Sequence, residues 1–133
     1  MYKDVYIFPA IFDYADDGIS IEFPDLPGCL SCASTDEEAL YMAQDVLKGF
    51  LVCMEKENEE IPKPTPLKDI KEEENQRAVL IEVCVASLRE KNKNKFVKKT
   101  LSIPYYLNVE AERAGINFSQ ALQVALKEKL NIN

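Results

Sequence analysis

The sequence has no histidine, only four glycines and only four cysteines in 133 residues. Without an imidazole the commonest general base is missing, and with it every Ser-His-Asp or Cys-His arrangement. There is no G-x-S-x-G elbow and no glycine-rich phosphate loop, so acyl transfer and nucleotide-dependent chemistry also lack their parts. No apolar run reaches the roughly 18 residues of a membrane span. Met1-Tyr2-Lys3-Asp4 lacks the charged start and apolar core of a signal peptide, which predicts a cytoplasmic protein without membrane contact.

The four cysteines include one C-x-x-C pair, Cys29 and Cys32, but zinc needs a second ligand pair and Cys53 and Cys84 stand isolated. A redox pair sits at a helix start, whereas Cys29 and Cys32 fall in a strand-like stretch ahead of Ser34-Thr35. Free thiols are expected, with no metal and no cofactor.

What is present is an ordinary globular composition, 47% hydrophobic, with charge divided unequally along the chain. Residues 1–86 hold 7 Lys/Arg and 19 Asp/Glu, giving −12, and residues 87–133 hold 9 and 4, giving +5. The formal charge of −7 therefore hides a basic end, and the asymmetry points to different partners for the two parts.

In the acidic part, Tyr2–Phe12 is rich in aromatic and β-branched residues. Asp16-Asp17-Gly18 signals a turn, and Ile19, Ile21 and Phe23 alternate with polar residues, so a β-hairpin is predicted. Pro9 implies an edge position or a bulge in the first strand. After Pro24-Asp25-Leu26-Pro27-Gly28 comes a third strand, Cys29–Ala33. Thr35 with Glu38 forms a capping box for a long helix whose apolar face carries Ala39, Met42, Ala43, Val46, Leu47, Phe50 and Met54. Glu55–Lys71, with Pro62, Pro64 and Pro66, reads as an extended connector. Ala78–Ala86 is a nearly continuous apolar run, as in a strand buried on both faces. The order is β-β-β-α-β. Arg89–Lys95, charged and Asn-rich, suits a hinge, placing boundaries at 1–86, 87–95 and 96–133.

The basic end reads as one strand and two helices. Alternation places Lys98, Thr100 and Ser102 on one face and Lys99, Leu101 and Ile103 on the other, with Lys99 departing from the apolar preference of an inward face. Pro104 ends the strand and opens a helix, Gly115 closes it, and Asn117 with Gln120 caps a second helix carrying Phe118, Leu122, Ala125, Leu126 and Leu130 at helical spacing. A unit of about 40 residues buries too little to stand alone, so pairing of two copies through their strands is expected. The segment resembles the ribbon-helix-helix DNA-binding module of the Arc and MetJ type. That resemblance implies that Lys98, Thr100 and Ser102 face base edges in the major groove, while backbone N–H groups at Asn117, Phe118 and Ser119 hold a phosphate.

Asp17-Gly18, Phe23-Pro24-Asp25-Leu26-Pro27-Gly28-Cys29 and Thr35-Asp36-Glu37-Glu38-Ala39-Leu40, followed by Ala43, resemble the signature stretch of the HicB family of bacterial antitoxins. The resemblance covers essentially the whole chain. It implies an α+β protein with a partial RNase H-like N-terminal domain and a C-terminal ribbon-helix-helix. It also implies a HicA-type partner, a small mRNA-cleaving toxin that the antitoxin occludes, and repression of the shared operon by a homodimer or a higher even-numbered oligomer bound to operator DNA. An acidic domain suits a basic RNA-binding partner. The rigid loop between Pro24 and Pro27 presents Asp25 and Leu26 with little entropy left to lose, making them candidate toxin contacts, while the same loop equally suits a plain strand connector with Leu26 in the core.

Two other readings stay open: a free-standing regulator whose first domain senses a ligand or protein, and a divergent metal nuclease. A nuclease needs carboxylates converging on two metals. Asp13, Asp16 and Asp17 crowd one turn, Asp45 lies apart on the helix and the apolar strand offers only Glu82, so no catalytic site is expected.

Overall fold

The computed structural model describes residues 2–89 and 96–132, in two compact units, Met1–Lys95 and Phe96–Asn133. In the first, β1 (Val5–Ala15) and β2 (Gly18–Glu22) form the expected hairpin, with Asp16-Asp17 as a two-residue turn closed by the pair Ala15 and Gly18. Gly18 has φ +143°, and a Cβ there would lie 2.9 Å from the Ala33 carbonyl oxygen, so turn and sheet both require glycine. β3 (Leu30–Ala33) pairs with β2, α1 runs from Asp36 to Lys56, and β4 (Gln76–Cys84) returns antiparallel to the other side of β1. The sheet order is β3-β2-β1-β4.

Pro9 is tolerated inside a central strand because the β2 ladder stops at the pair Ile11 and Glu22. Beyond it β1 is paired only with β4. The Val85 N–H donates to the Asp4 carbonyl and the Tyr14 N–H to the Asn75 carbonyl, so even-numbered residues of β1 turn their backbone groups toward β4 and odd-numbered ones away. The N–H that Pro9 lacks would point to the unpaired side, and its absence costs no ladder bond.

α1 starts as a capping box: Thr35 Oγ1 accepts from the Glu38 N–H at 3.1 Å, and Glu38 Oε1 accepts in return from the N–H of Ser34, one residue earlier than the usual partner, at 3.2 Å. Three acids in its first turn suit the helix dipole. Its buried stripe is Ala39, Ala43, Leu47 and Leu51, flanked by Met42, Val46, Phe50 and Met54. The stripe packs on Tyr6, Phe8, Ala10 and Phe12 of β1, Ile19 and Ile21 of β2, and Ile81 and Val83 of β4. Strand alternation and helical spacing thus meet in one core.

β4 departs from expectation. It is an edge strand with one buried face: Ile81 and Val83 are 3% exposed, while Leu80 is 51% exposed and Glu82 and Cys84 also face outward. An apolar run signals a strand, but how many of its faces are covered depends on where topology puts it.

The second unit contains α2 (Tyr105–Arg113) and α3 (Phe118–Leu130). Gly115 at φ +70° ends α2, with the Gly115 N–H donating to Glu112 and the Ile116 N–H to Ala111, the paired bonds of a Schellman motif. Asn117 Oδ1 accepts from the Gln120 N–H at 3.0 Å and starts α3. Asn131 at φ 56° ends it. No described residue of either helix is buried. Phe96–Ile103, expected as a strand, is not one in the single chain, because a ladder needs a second strand and the described residues of this unit supply none.

Candidate partner and nucleic-acid interfaces

The motif Phe23-Pro24-Asp25-Leu26-Pro27-Gly28-Cys29 folds into two consecutive turns. The Leu26 N–H donates to Phe23, the Cys29 N–H to Leu26, and the Phe23 N–H to Cys29. Phe23 and Leu26 are each 2% exposed and Cys29 is fully buried, while Gly28 takes φ +92° to bring the chain back. Leu26 therefore lies in the core instead of presenting its side chain to a partner. Asp25 is also engaged: Thr65 donates its N–H to Oδ2 at 2.9 Å and its hydroxyl to Oδ1 at 2.5 Å. Asp25 thus pins the proline-rich connector to the β2–β3 loop. Apolar burial thus claims the Leu26 side chain and a hydrogen-bond clamp the Asp25 carboxylate. The spacing that suggested display is equally the spacing of a tight turn.

Arg89, part of the expected hinge, has a role that no sequence pattern signals. It is 8% exposed, and its guanidinium donates to Glu55 Oε1 at 2.8 Å and Oε2 at 2.9 Å, to Asp4 Oδ1 at 2.6 Å, and to the Lys3 carbonyl. Tyr6 donates its hydroxyl to the same Glu55 carboxylate. The bonds to Glu55 raise the guanidinium pKa further, against the opposing effect of burial. This clamp ties the start of β1, the end of α1 and the end of the described first unit together, three residues past the expected boundary at 86. Residues 90–95 of the expected hinge lie outside the described residues. A charged residue in a polar stretch carries no periodic signal, so only its partners reveal the role.

The carboxylates weighed for a nuclease are placed apart in function. Asp13 accepts from Gln76 Nε2 at 3.1 Å, Asp16 and Asp17 form the exposed turn, Asp45 is exposed on α1 and Glu82 faces outward on β4. Among the described residues no group of three or more Cys, Asp or Glu comes together to hold a metal. Burial pushes the Cys29 thiol up to about 11, whereas Cys32, Cys53 and Cys84 are exposed. No described helix is long and apolar enough to cross a membrane.

In the second unit Lys98, Thr100 and Ser102 are exposed along the segment leading to Pro104. Asn117, Phe118 and Ser119 open α3. The Asn117 side chain takes the Gln120 N–H, and the N–H groups of Phe118 and Ser119 belong to the first turn, where no intrahelical acceptor exists. The apolar side chains Leu107, Ile116, Phe118, Leu126 and Leu130 are between 43% and 64% exposed.

Against known proteins, the chain is 38% identical over 58 residues to antitoxin HicB 2 of Photorhabdus laumondii, a match covering 44% of this chain and 42% of that protein. It is 31% identical over 62 residues to an uncharacterised 14.9 kDa protein of Haemophilus phage HP1, covering 47% of each. The chain thus spans less than half the length of either curated relative. Among solved structures, its fold is similar to a chain of a toxin-antitoxin complex from Streptococcus pneumoniae, with TM-score 0.60 and 22% identity over 94% of this chain and 99% of that one. It is also similar to the antitoxin HicB3, with TM-score 0.53 and 23% identity over 93% and 97%. With residues 8–125 matching the family described as the HicB-like antitoxins of bacterial toxin-antitoxin systems, the chain belongs to that family.

Proposed function

We propose that this chain neutralises a HicA-type, RNA-cleaving toxin through its first unit and represses its own operon through its second. In this reading it acts by binding, in the cytoplasm, with no catalysis of its own. The observation that carries the reading is the contrast between an acidic unit with a closed core and a basic unit whose helices have no buried residue. Apolar side chains left that exposed need cover, and a second copy of the same segment supplies it. Pairing two Phe96–Ile103 segments makes the two-stranded ribbon of a ribbon-helix-helix dimer, which fits the major groove. On that ribbon Lys98, Thr100 and Ser102 face the bases, and the first turn of α3 at Asn117, Phe118 and Ser119 takes a phosphate.

The four-stranded antiparallel order with α1 on one face supports a partial RNase H-like reading of the first unit. Its charge of −12 over residues 1–86 suits a cationic RNA-binding toxin. Toxin recognition then falls to exposed acids of that unit, with Asp25 and Leu26 shaping the loop from beneath.

The test is co-expression with a small basic protein encoded beside it. Co-purification of the two chains and rescue of growth are expected, together with a shift of the shared promoter DNA by the complex or the free antitoxin. A folded chain that neither rescues growth nor distinguishes promoter from random DNA overturns the reading.

A further inference from the structure

The first half of β1 is paired on one side only. Its ladder to β4 runs from Val5 to Asp13, but its ladder to β2 ends at the pair Ile11 and Glu22, where the chain turns away into the loop at Phe23. Odd-numbered residues of β1 turn their backbone groups away from β4. The N–H and C=O of Val5, those of Ile7 and the C=O of Pro9 therefore point into the place a further strand would take. None of these five groups has a partner among the described residues.

The chain lines that place without filling it. Residues 58–64, which follow α1, face the first half of β1, yet no backbone bond joins the two, and Pro62 and Pro64 have no N–H to give. Between them lies a cavity of about 730 Å³, lined by Val5 and Ile7 on one side and by Glu59, Ile61, Pro62 and Pro64 on the other. Tyr2 bridges the two sides, its hydroxyl donating to the Glu59 carbonyl at 3.2 Å. A strand occupies about 160 Å³ per residue, from roughly 3.4 Å of rise, 4.8 Å to its neighbour and 10 Å through the sheet, so the cavity takes about four or five residues. The unpaired stretch of β1, residues 5–9, has that length.

We propose that this slot receives an extended segment of the toxin, added as a strand beside β1. The inference rests on the neutralising role proposed above. Free N–H and C=O groups repeating along a strand edge are met in register only by another backbone. A second copy of this chain is a poor fit, because its own β1 edge lies behind its own residues 58–64 and the two edges would meet wall to wall. The Phe96–Ile103 segment is used by the ribbon in that reading. A strand from a different chain is left, and the charge of −12 over residues 1–86 selects a cationic one. Val5 and Ile7 are 47% and 43% exposed on the same face of the sheet, so the entering strand carries apolar side chains at alternate positions and its basic residues outside the slot.

Residue-resolved amide exchange tests this on the full chain, alone and in complex with the small basic protein encoded beside it. In the free chain the Val5 and Ile7 amides are expected to exchange fast, and those of Tyr6 and Phe8, which β4 holds, slowly. Complex formation should slow Val5 and Ile7 by about tenfold or more. Ile7→Pro removes the central donor of the slot and, like Pro9, costs no bond to β4, so it should weaken the complex by about tenfold. Leu80→Pro removes an outward N–H from the opposite edge of the sheet and should leave the affinity unchanged.

A complex in which the Val5 and Ile7 amides stay fast overturns this inference alone and leaves the neutralising role standing. Failure to bind that protein at all removes the role and the slot together. Slow Val5 and Ile7 amides in the free chain also overturn it, since a second copy or the chain's own residues would then fill the slot, and so does an Ile7→Pro chain that binds as tightly as wild type. Where Ile7→Pro lowers the urea midpoint, the exchange measurement, which needs no substitution, decides.

Discussion

The two units solve the same problem by opposite means. The first buries Phe8, Phe23, Ile21, Leu26, Leu47, Leu51 and Val85 to less than about 2% exposure each within its own chain, while the second leaves Phe118, Leu126 and Leu130 at 43%, 51% and 64%. Their local signals are equally good: both contain a helix with a side-chain N-cap, and each contains an Asn or Gly in the left-handed region at a helix end. Well-formed helices therefore do not make a stable unit. A sheet of four strands gives α1 a surface to cover, whereas two short helices and an unpaired segment give each other too little. The first unit is expected to melt at a temperature independent of concentration, and the second to depend on it.

The sharpest break of that comparison is Phe8→Ala. Deleting a fully buried aromatic from the middle of β1 should cost about 3–5 kcal/mol in urea unfolding of the first unit. Self-association through the second unit should survive at low urea. Loss of both together would mean the units fold as one.

Arg89→Met comes next. It leaves Glu55, whose side chain is 8% exposed, without its cation, and should cost about 3 kcal/mol, the low end for a broken buried pair because Asp4 stays in water. For the same reason a fragment ending at Ala86 should be less stable than one ending at Arg89. Equal urea midpoints for the two fragments would show that the clamp is not part of the first unit's fold.

Thr100→Ala addresses the second unit only. A loss of about 1–3 kcal/mol in operator affinity, with relaxed sequence preference and unchanged toxin neutralisation, is expected in gel-shift and growth-rescue assays. Thr35→Ala removes the N-cap of α1 and should lower first-unit stability by about 1 kcal/mol with no effect on DNA binding.

A further effect is one of pH. Burial raises the folded-state Cys29 pKa from 9.0 to about 11, so its contribution is fully present below pH 9 and is lost as pH climbs toward 11, where the unfolded thiol ionises first. Stability of Cys29→Ala should fall less across that interval. In thiol titration of the native chain Cys32, Cys53 and Cys84 should react first, with Cys29 following only on unfolding.

Much of this architecture is legible in the residues themselves. Asp16-Asp17-Gly18, Thr35 with Glu38, Asn117 with Gln120, and Gly115 mark turns and caps through chemistry that acts within a few residues. The periodicities of β1 and α1 name most of the buried face. Leu51 was missed because it lies at the rim of the predicted stripe. Display and core burial of Leu26 stay equally open in the sequence because a proline-flanked turn has the same sequence whether it projects outward or closes over a core. Arg89 was read as linker because no local pattern distinguishes a solvated arginine from one that clamps Glu55 and Asp4.

Local order, element types and the division of charge between −12 and +5 followed from the sequence alone, since short-range hydrogen bonding, side-chain period and formal charge need no tertiary contact. Tertiary structure alone decided that β4 lies at the edge with Leu80 exposed, that Asp25 and Leu26 serve the fold, and that Arg89 belongs to the first unit. Each of these depends on which distant residues arrive beside them, and burial and pairing are properties of that neighbourhood, not of the side chain that experiences it.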